Sequence, residues 1–145
     1  MIRAIDVIDA HAAGPAADDE IHLDFDQRHR RRIAMVSESG KEFLLDLPEA
    51  IAIADGDRLR LDDGTVVEVH AKAERVADIT AQDPEHLVRI AWHLGNRHLP
   101  TEVIGKTIRI RDDHVIVAML RGLGADVAIH DAAFHPEAGA YSHGH

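Results

Sequence analysis

The sequence predicts an α+β protein in two parts: a β-rich N-terminal half, then a half that mixes strands with helices. Before about residue 70, apolar residues alternate with polar ones, as in Ile21, Leu23 and Phe25 or Leu59 and Leu61, which is the period of a half-buried strand. After about residue 80 the period lengthens, with Leu87, Ile90, Ala91 and Leu94 at the i, i+3, i+4, i+7 spacing of a helix. The size agrees, since 145 residues at 46% hydrophobic content suit one ordinary domain or two small ones.

Ala12 to Ala17, containing Gly14 and Pro15, reads as a loop insert, and Ile21 to Phe25 as a strand. Four arginines then fall within Gln27 to Arg32. Residues 1–74 hold nine Lys+Arg against 17 Asp+Glu, so this run reads as a solvated, salt-bridged turn rather than a nucleic-acid patch. Glu42 to Leu47 is a short, mostly apolar strand. Leu59 to Leu61 and Thr65 to Val69 flank Asp62-Asp63-Gly64, a hairpin turn signal. Short strands with such turns predict a small barrel or sandwich.

Arg75 to Thr80 is the first strand of the second half. Asp83 at the N-cap, Pro84 at the first helical position and Glu85 in the first turn open a helix that Gly95 stops. Glu102 to Ile104, the turn Gly105-Lys106 and Thr107 to Arg111 read as a hairpin. A second helix starts near Asp112 and Asp113, turns Val115, Ala118 and Met119 inward and ends by Gly122, and Ala125 to Ile129 is a last strand. The order β-α-β-β-α-β is the ferredoxin-like pattern. The expected divisions are therefore 1–74 (β-rich), 75–136 (ferredoxin-like) and 137–145 (a mobile tail ending Ser142-His143-Gly144-His145).

Composition narrows the function. The formal charge of −10 disfavours nucleic acid as a partner, and the absence of Cys excludes disulfides, thiolate nucleophiles and Fe–S clusters. The longest clean apolar run, Val115 to Leu120, is far short of the roughly 20 residues of a membrane span, and the first residues have no signal-peptide core. The expectation is a cytoplasmic protein that meets no membrane. The anomaly is histidine, with 12 residues against five aromatics. Imidazole titrates near pH ~6.5 and ligates Zn, Cu and Ni, so metal handling leads.

His98 lies just past the first helix, whose carbonyl end favours a cation. One imidazole does not make a site, and taken alone His98 reads as a structural or surface histidine. A twofold homodimer doubles a histidine near its axis, and His143 and His145, separated by a glycine, can add donors from the tail. Such a site is shared, open and reversible, which suits carrying a metal. Asp112, Asp113 and His114 read first as helix capping and second as a weak N/O site. A general Zn/Cu/Ni buffer or sensor stays open, because imidazole does not select nickel and copper outcompetes it. A metal-dependent hydrolase lacks an HExxH-like helix, and an RNA-binding sheet lacks stacking aromatics.

The blocks Trp92-His93-Leu94-Gly95-Asn96-Arg97-His98-Leu99-Pro100, Asp113-His114-Val115 with Met119-Leu120 and Leu123-Gly124, and Phe134-His135-Pro136-Glu137-Ala138-Gly139-Ala140-Tyr141 before a His-Gly-His end closely resemble the UreE-type urease accessory proteins. These are the nickel metallochaperones of urease maturation. The resemblance covers about residues 75–145; the first half matches more loosely, through its β-rich character and the segment around Arg28 to Arg32. It implies a partner-binding N-terminal domain and a ferredoxin-like domain that pairs in a homodimer. It further implies Ni(II) as the ion, with Zn(II) or Cu(II) as in vitro substitutes. The implied interface ligand falls on His98 and the tail ligands on His143 and His145. A second histidine pair of some relatives falls on Asp112 and His114, where only His114 is an imidazole, so the implied secondary site is weak. The chain stops at His145 without a polyhistidine run, so no high-capacity storage is expected. The implied partners are the urease accessory GTPase and the urease apoprotein complex, and no catalysis is expected.

Overall fold

The computed structural model describes residues 1–137 and divides the chain into two compact units, Met1–Lys72 and the remainder from Ala73. The first unit contains the strands β1 (Arg3–Ile8), β2 (Asp19–Leu23), β3 (Arg32–Val36), β4 (Glu42–Asp46), β5 (Arg58–Leu61) and β6 (Val66–Ala71), and one short helix, α1 (Phe25–Arg28). They form one sheet in the order β2-β6-β5-β1-β4-β3, with β1–β4 and β2–β6 parallel and the other pairs antiparallel. The sheet is curled: Asp19 on one edge strand accepts from the hydroxyls of Ser37 and Ser39 at the turn beyond the other, and the Glu38 amide donates to the Glu20 carbonyl at 2.8 Å. Inside lie Ile21 and Leu23, Phe43 and Leu45, Leu59 and Leu61, and Val67 and Val69, each pair two residues apart on one face of its strand.

Three readings of this half need correction. Phe25 does not continue the strand: Asp24 caps a helical turn, its carboxylate accepting from the Gln27 amide while the Gln27 side chain accepts from the Asp24 amide, and this reciprocal cap starts α1. The arginine run is not wholly solvated. Arg30 to Arg32 are exposed, but Arg28 is 3% exposed and donates to the carbonyls of Leu23 and Ile53 at 3.2 and 3.3 Å, tying β2 to the loop before β5. Strands β1 and β3 escape the pattern reading. A register shift between Ala4 and Asp6 breaks the alternation in β1, and β3 begins inside the arginine run.

The seam has a pH dependence. Hydrogen bonds from Ser37 and Ser39 lower the Asp19 carboxyl to about 2, against an ordinary 3.8. Its native value is the depressed one, so its stabilisation is full above about pH 3.8 and is lost as pH falls through about 2. Asp19→Asn should therefore lower the melting temperature at pH 7, and the gap to the wild type should close by pH 2 in thermal melts. A gap independent of pH would assign the loss to shape and not to charge.

The second unit contains β7 (Glu74–Thr80), α2 (Pro84–Gly95), β8 (Glu102–Ile104), β9 (Thr107–Arg111), α3 (His114–Gly122) and β10 (Asp126–Ala132). The strands form an antiparallel sheet in the order β10-β7-β9-β8. Ala77, Ile79, Ile108 and Ile110 on one face pack with Ile90 and Leu94 of α2 and Ile116, Val117 and Leu120 of α3. Here α3 departs from the expected rotation. Ile116, Val117 and Leu120 turn inward, whereas Val115 is 60% exposed and Ala118 is exposed. The run Val-Ile-Val-Ala-Met-Leu is apolar on every side, so its periodicity cannot select a face. On α2, Ile90 and Leu94 are buried as expected, but Ala91 is exposed beside Val88 and Trp92, which are 68% and 64% exposed.

The other face of this sheet is covered by the segment that follows β10. Phe134 is fully buried, 5.9 Å beneath the Arg111 guanidinium. Arg109 grips the Asp78 carboxylate with two nitrogens at 2.7 and 3.0 Å and donates to the Ala133 carbonyl, while His130 reaches Asp78 at 2.6 Å. These bonds, from Arg109 first and His130 second, hold the Asp78 carboxyl below its ordinary value.

Candidate metal site

Helix α2 begins as its sequence dictates. Asp83 accepts from the His86 amide at 2.7 Å, and Pro84 occupies the first turn, where no amide is needed. Its other end presents His98. The amides of Arg97 and His98 turn back to the carbonyls of Leu94 and Gly95 at 3.1 and 3.2 Å. His98 itself takes a φ of +55°, the one non-glycine residue with positive φ among the described residues. That left-handed conformation is uncommon for a side chain with a Cβ, and it turns the chain sharply out of the helix ahead of Pro100. His98 is exposed, and its imidazole makes no hydrogen bond among the described residues.

Two other histidines of this unit, His86 and His130, have ring nitrogens already engaged. In His86, Nδ1 accepts from the Gln82 amide at 3.0 Å and Nε2 donates to the Leu123 carbonyl at 2.8 Å, which fixes the tautomer and leaves no lone pair for a metal. His130 is held by Asp78. His93 meets Trp92 edge-on, with ring centroids 5.1 Å apart. These contacts give His86, His93 and His130 places in the packing of the unit.

The stretch before α3 divides its duties. Asp113 is the cap, its Oδ1 accepting from the amides of Val115 and Ile116 at 3.0 and 3.2 Å. The Asp112 amide donates to the Arg75 carbonyl, and its side chain is exposed, as is that of His114. Asp112 and Asp113 line a cavity of about 280 Å³ with Leu99 and Pro100, so the loop after His98 and the start of α3 share one pocket. Among the described residues no three His, Asp or Glu side chains are disposed around a single point as a formed metal site.

His143 and His145 lie outside the described residues. Their point of departure is nevertheless defined. The Glu137 amide donates to the Thr101 carbonyl at 2.7 Å, and the His135 amide to Glu102 Oε1 at 2.9 Å. The chain is therefore fastened three residues from His98 before its last eight residues begin. Pattern reading missed this clamp. Its one signal was Phe134, a large aromatic in a stretch otherwise small and polar.

The model for the N-terminal domain of the UreE urease accessory protein matches residues 2–72, and that for its C-terminal domain matches residues 74–145. Among curated proteins, the urease accessory protein UreE of Bradyrhizobium sp. strain ORS 278 is 57% identical over 148 residues, covering all of this chain and 70% of the relative. That of Bradyrhizobium sp. strain BTAi1 is 56% identical over 98% of this chain and 69% of its own length. The Chelativorans sp. strain BNC1 protein is 51% identical over all of this chain and 90% of its own.

Proposed function

Because the chain belongs to the UreE urease accessory protein family, we propose that it is a nickel carrier that binds Ni(II) at a homodimer interface and delivers it for urease assembly. It is an accessory protein and not an enzyme. The observation that carries the proposal is His98: a solvent-facing imidazole with no hydrogen bond among the described residues, held in a left-handed turn at the carbonyl end of α2.

Two further features support the shared site. Val88, Ala91 and Trp92 make an apolar outer face on the helix that ends beside His98, and Val115 and Ala118 expose apolar surface on α3. Pairing these surfaces across a twofold axis buries them and brings two His98 side chains together. The clamp at Thr101 then lets His143 return. It lies six positions beyond Glu137, a reach of up to roughly 20 Å for an extended chain. Asp112, which lines the neighbouring pocket, and the exposed His114 are secondary donors. A neutral-imidazole set suits a borderline ion, so Zn(II) and Cu(II) compete in vitro.

We read the second unit, with its β10-β7-β9-β8 order and two helices on one face, as ferredoxin-like, and the 75–136 segment as the metal-binding and dimerisation domain. The β-rich segment 1–74, which contains the first unit, is the docking domain for the urease accessory GTPase and the apoprotein complex. Delivery occurs in the cytoplasm; no helix among the described residues is long and apolar enough to cross a membrane.

Nickel titration at controlled oligomeric state tests the carrier. One tight ion per two chains is the expected stoichiometry of the His98-dependent site. Truncation after Tyr141, which removes His143 and His145, should leave the melting temperature unchanged and weaken nickel binding about tenfold or more, since imidazole donors are lost from beyond the clamp. Unchanged affinity in the truncated chain would remove the tail from the site.

A further inference from the structure

The first unit gathers two histidines and three glutamates on one surface, although as they stand no three of them surround a single point. Strands β2 and β6 run parallel in a register that sets Glu20 against Glu68 and His22 against His70. Their neighbours Ile21, Leu23, Val67 and Val69 are buried, so strand alternation sends all four polar side chains to the outer face. The two imidazoles stack with centroids 5.0 Å apart. His70 Nε2 lies 3.1 Å from Glu20 Oε2 and 3.0 Å from Glu68 Oε2, and His22 Nε2 lies 3.8 Å from Glu20 Oε1 and 3.9 Å from Glu38 Oε1.

This patch is short of positive charge. Three carboxylates surround two imidazoles, and none of the three is ion-paired to Lys or Arg among the described residues. A neutral imidazole has one N–H, yet His70 Nε2 faces two carboxylate oxygens at hydrogen-bonding distance. A divalent cation meets that deficit better than a shared proton. We propose that the outer face of β2 and β6 is a second metal site, separate from His98, which takes a borderline divalent ion such as Ni(II) or Zn(II). Nε2 of His22 and His70 are its nitrogen donors, and Glu20 with Glu68 supplies oxygen. Ligands at 2.0–2.2 Å from one ion stand about 3 Å apart, the spacing already present between His70 and the two glutamates. The His22 contacts are longer, and rotation of solvent-exposed side chains closes them, His22 being 47% and Glu20 53% exposed. Two imidazoles select such an ion over Mg(II) or Ca(II).

This inference does not rest on the nickel-delivery reading, and its test separates the two. Zn(II) is titrated by calorimetry into the full chain carrying His98→Ala, with the imidazole resonances followed by NMR. The expected result is one ion per chain that perturbs the His22 and His70 signals. Adding His70→Gln should weaken this binding at least about tenfold, since even outer-shell changes commonly cost that much. Adding His22→Gln as well should abolish it, while the same two substitutions on the wild-type background leave the His98-dependent ion in place. Zn(II) binding with unchanged affinity in the His22→Gln/His70→Gln/His98→Ala chain, or no movement of the His22 and His70 signals, overturns the proposal. Should the histidine variants lose the fold, Glu20→Gln, which keeps the side-chain shape, must still weaken binding, and unchanged affinity in that variant overturns it equally.

Discussion

His98→Ala is expected to abolish nickel binding at the dimer interface while leaving the dimer intact. A site on the twofold axis loses two imidazoles with a single substitution, so affinity should fall by about a hundredfold or more if each donor contributes at least tenfold. Calorimetry with the oligomeric state followed by ultracentrifugation measures both quantities. The backbone offers a control. His98 already bears a left-handed φ of +55°, so His98→Gly relieves that conformation, and any loss of nickel in that variant is chemical and not a matter of folding. The wild-type site should also be acid-sensitive, because imidazole must lose its proton to bind. Below a pH of about 6.5, with two or more histidines competing for protons, affinity should drop by more than about one log unit per pH unit. A nickel stoichiometry and affinity unchanged by His98→Ala would end the shared-site model; a flat pH profile at the His98-dependent site would transfer coordination to carboxylates such as Asp112.

Trp92→Asp is expected to split the dimer into folded monomers. Trp92 is 64% exposed, so it contributes little to the packing of its own unit, whose core on α2 is Ile90 and Leu94. In a dimer that buries this face, an aromatic anchor near the axis is worth about 2–4 kcal/mol, so the dimer dissociation constant should rise by roughly 30-fold to 1000-fold. The new carboxylate deepens the loss, since it is buried without a partner. Sedimentation velocity across a concentration series reads the shift, and circular dichroism reads the fold. A dimer of undiminished affinity would place the twofold contact elsewhere. Nickel retention should fall together with dimerisation, because each monomer keeps only one His98.

Much of the second unit was legible because its signals are local. Asp83, Pro84 and Gly95 bracket α2, Gly105 marks the hairpin turn, and Asp113 caps α3, each acting within a few residues of its own position. The rotation of α3 was not legible, for an all-apolar run fits either face, and the face left outside is the one assigned here to the dimer. In the first unit, β1 and β3 were hidden by a bulge and by a charged beginning. Arg28 ran against composition, since its burial depends on carbonyls of Leu23 and Ile53 that no local pattern brings near. As for the site, the position of His98 after a helix was visible, but its left-handed backbone was not. The pairing of His22 with His70 was invisible for a different reason: it exists only through a parallel register between strands far apart in the chain.

That register, and the matching role of β10 in the other unit, constrain the order in which the chain can fold. Strand β2 has no neighbour in its sheet until β6 is present, and β7 lacks one of its two until β10 arrives to pair all seven of its residues. Both closures join distant segments, which slows them relative to helix or hairpin formation. On a ribosome, the first unit can complete its sheet once Ala71 has emerged. The second must wait for Ala132, with the apolar strand containing Val76, Ala77 and Ile79 holding an open edge throughout. A chain interrupted between those two points would thus carry one finished unit and one sticky strand, and β10 is the segment whose late arrival protects the protein from self-association.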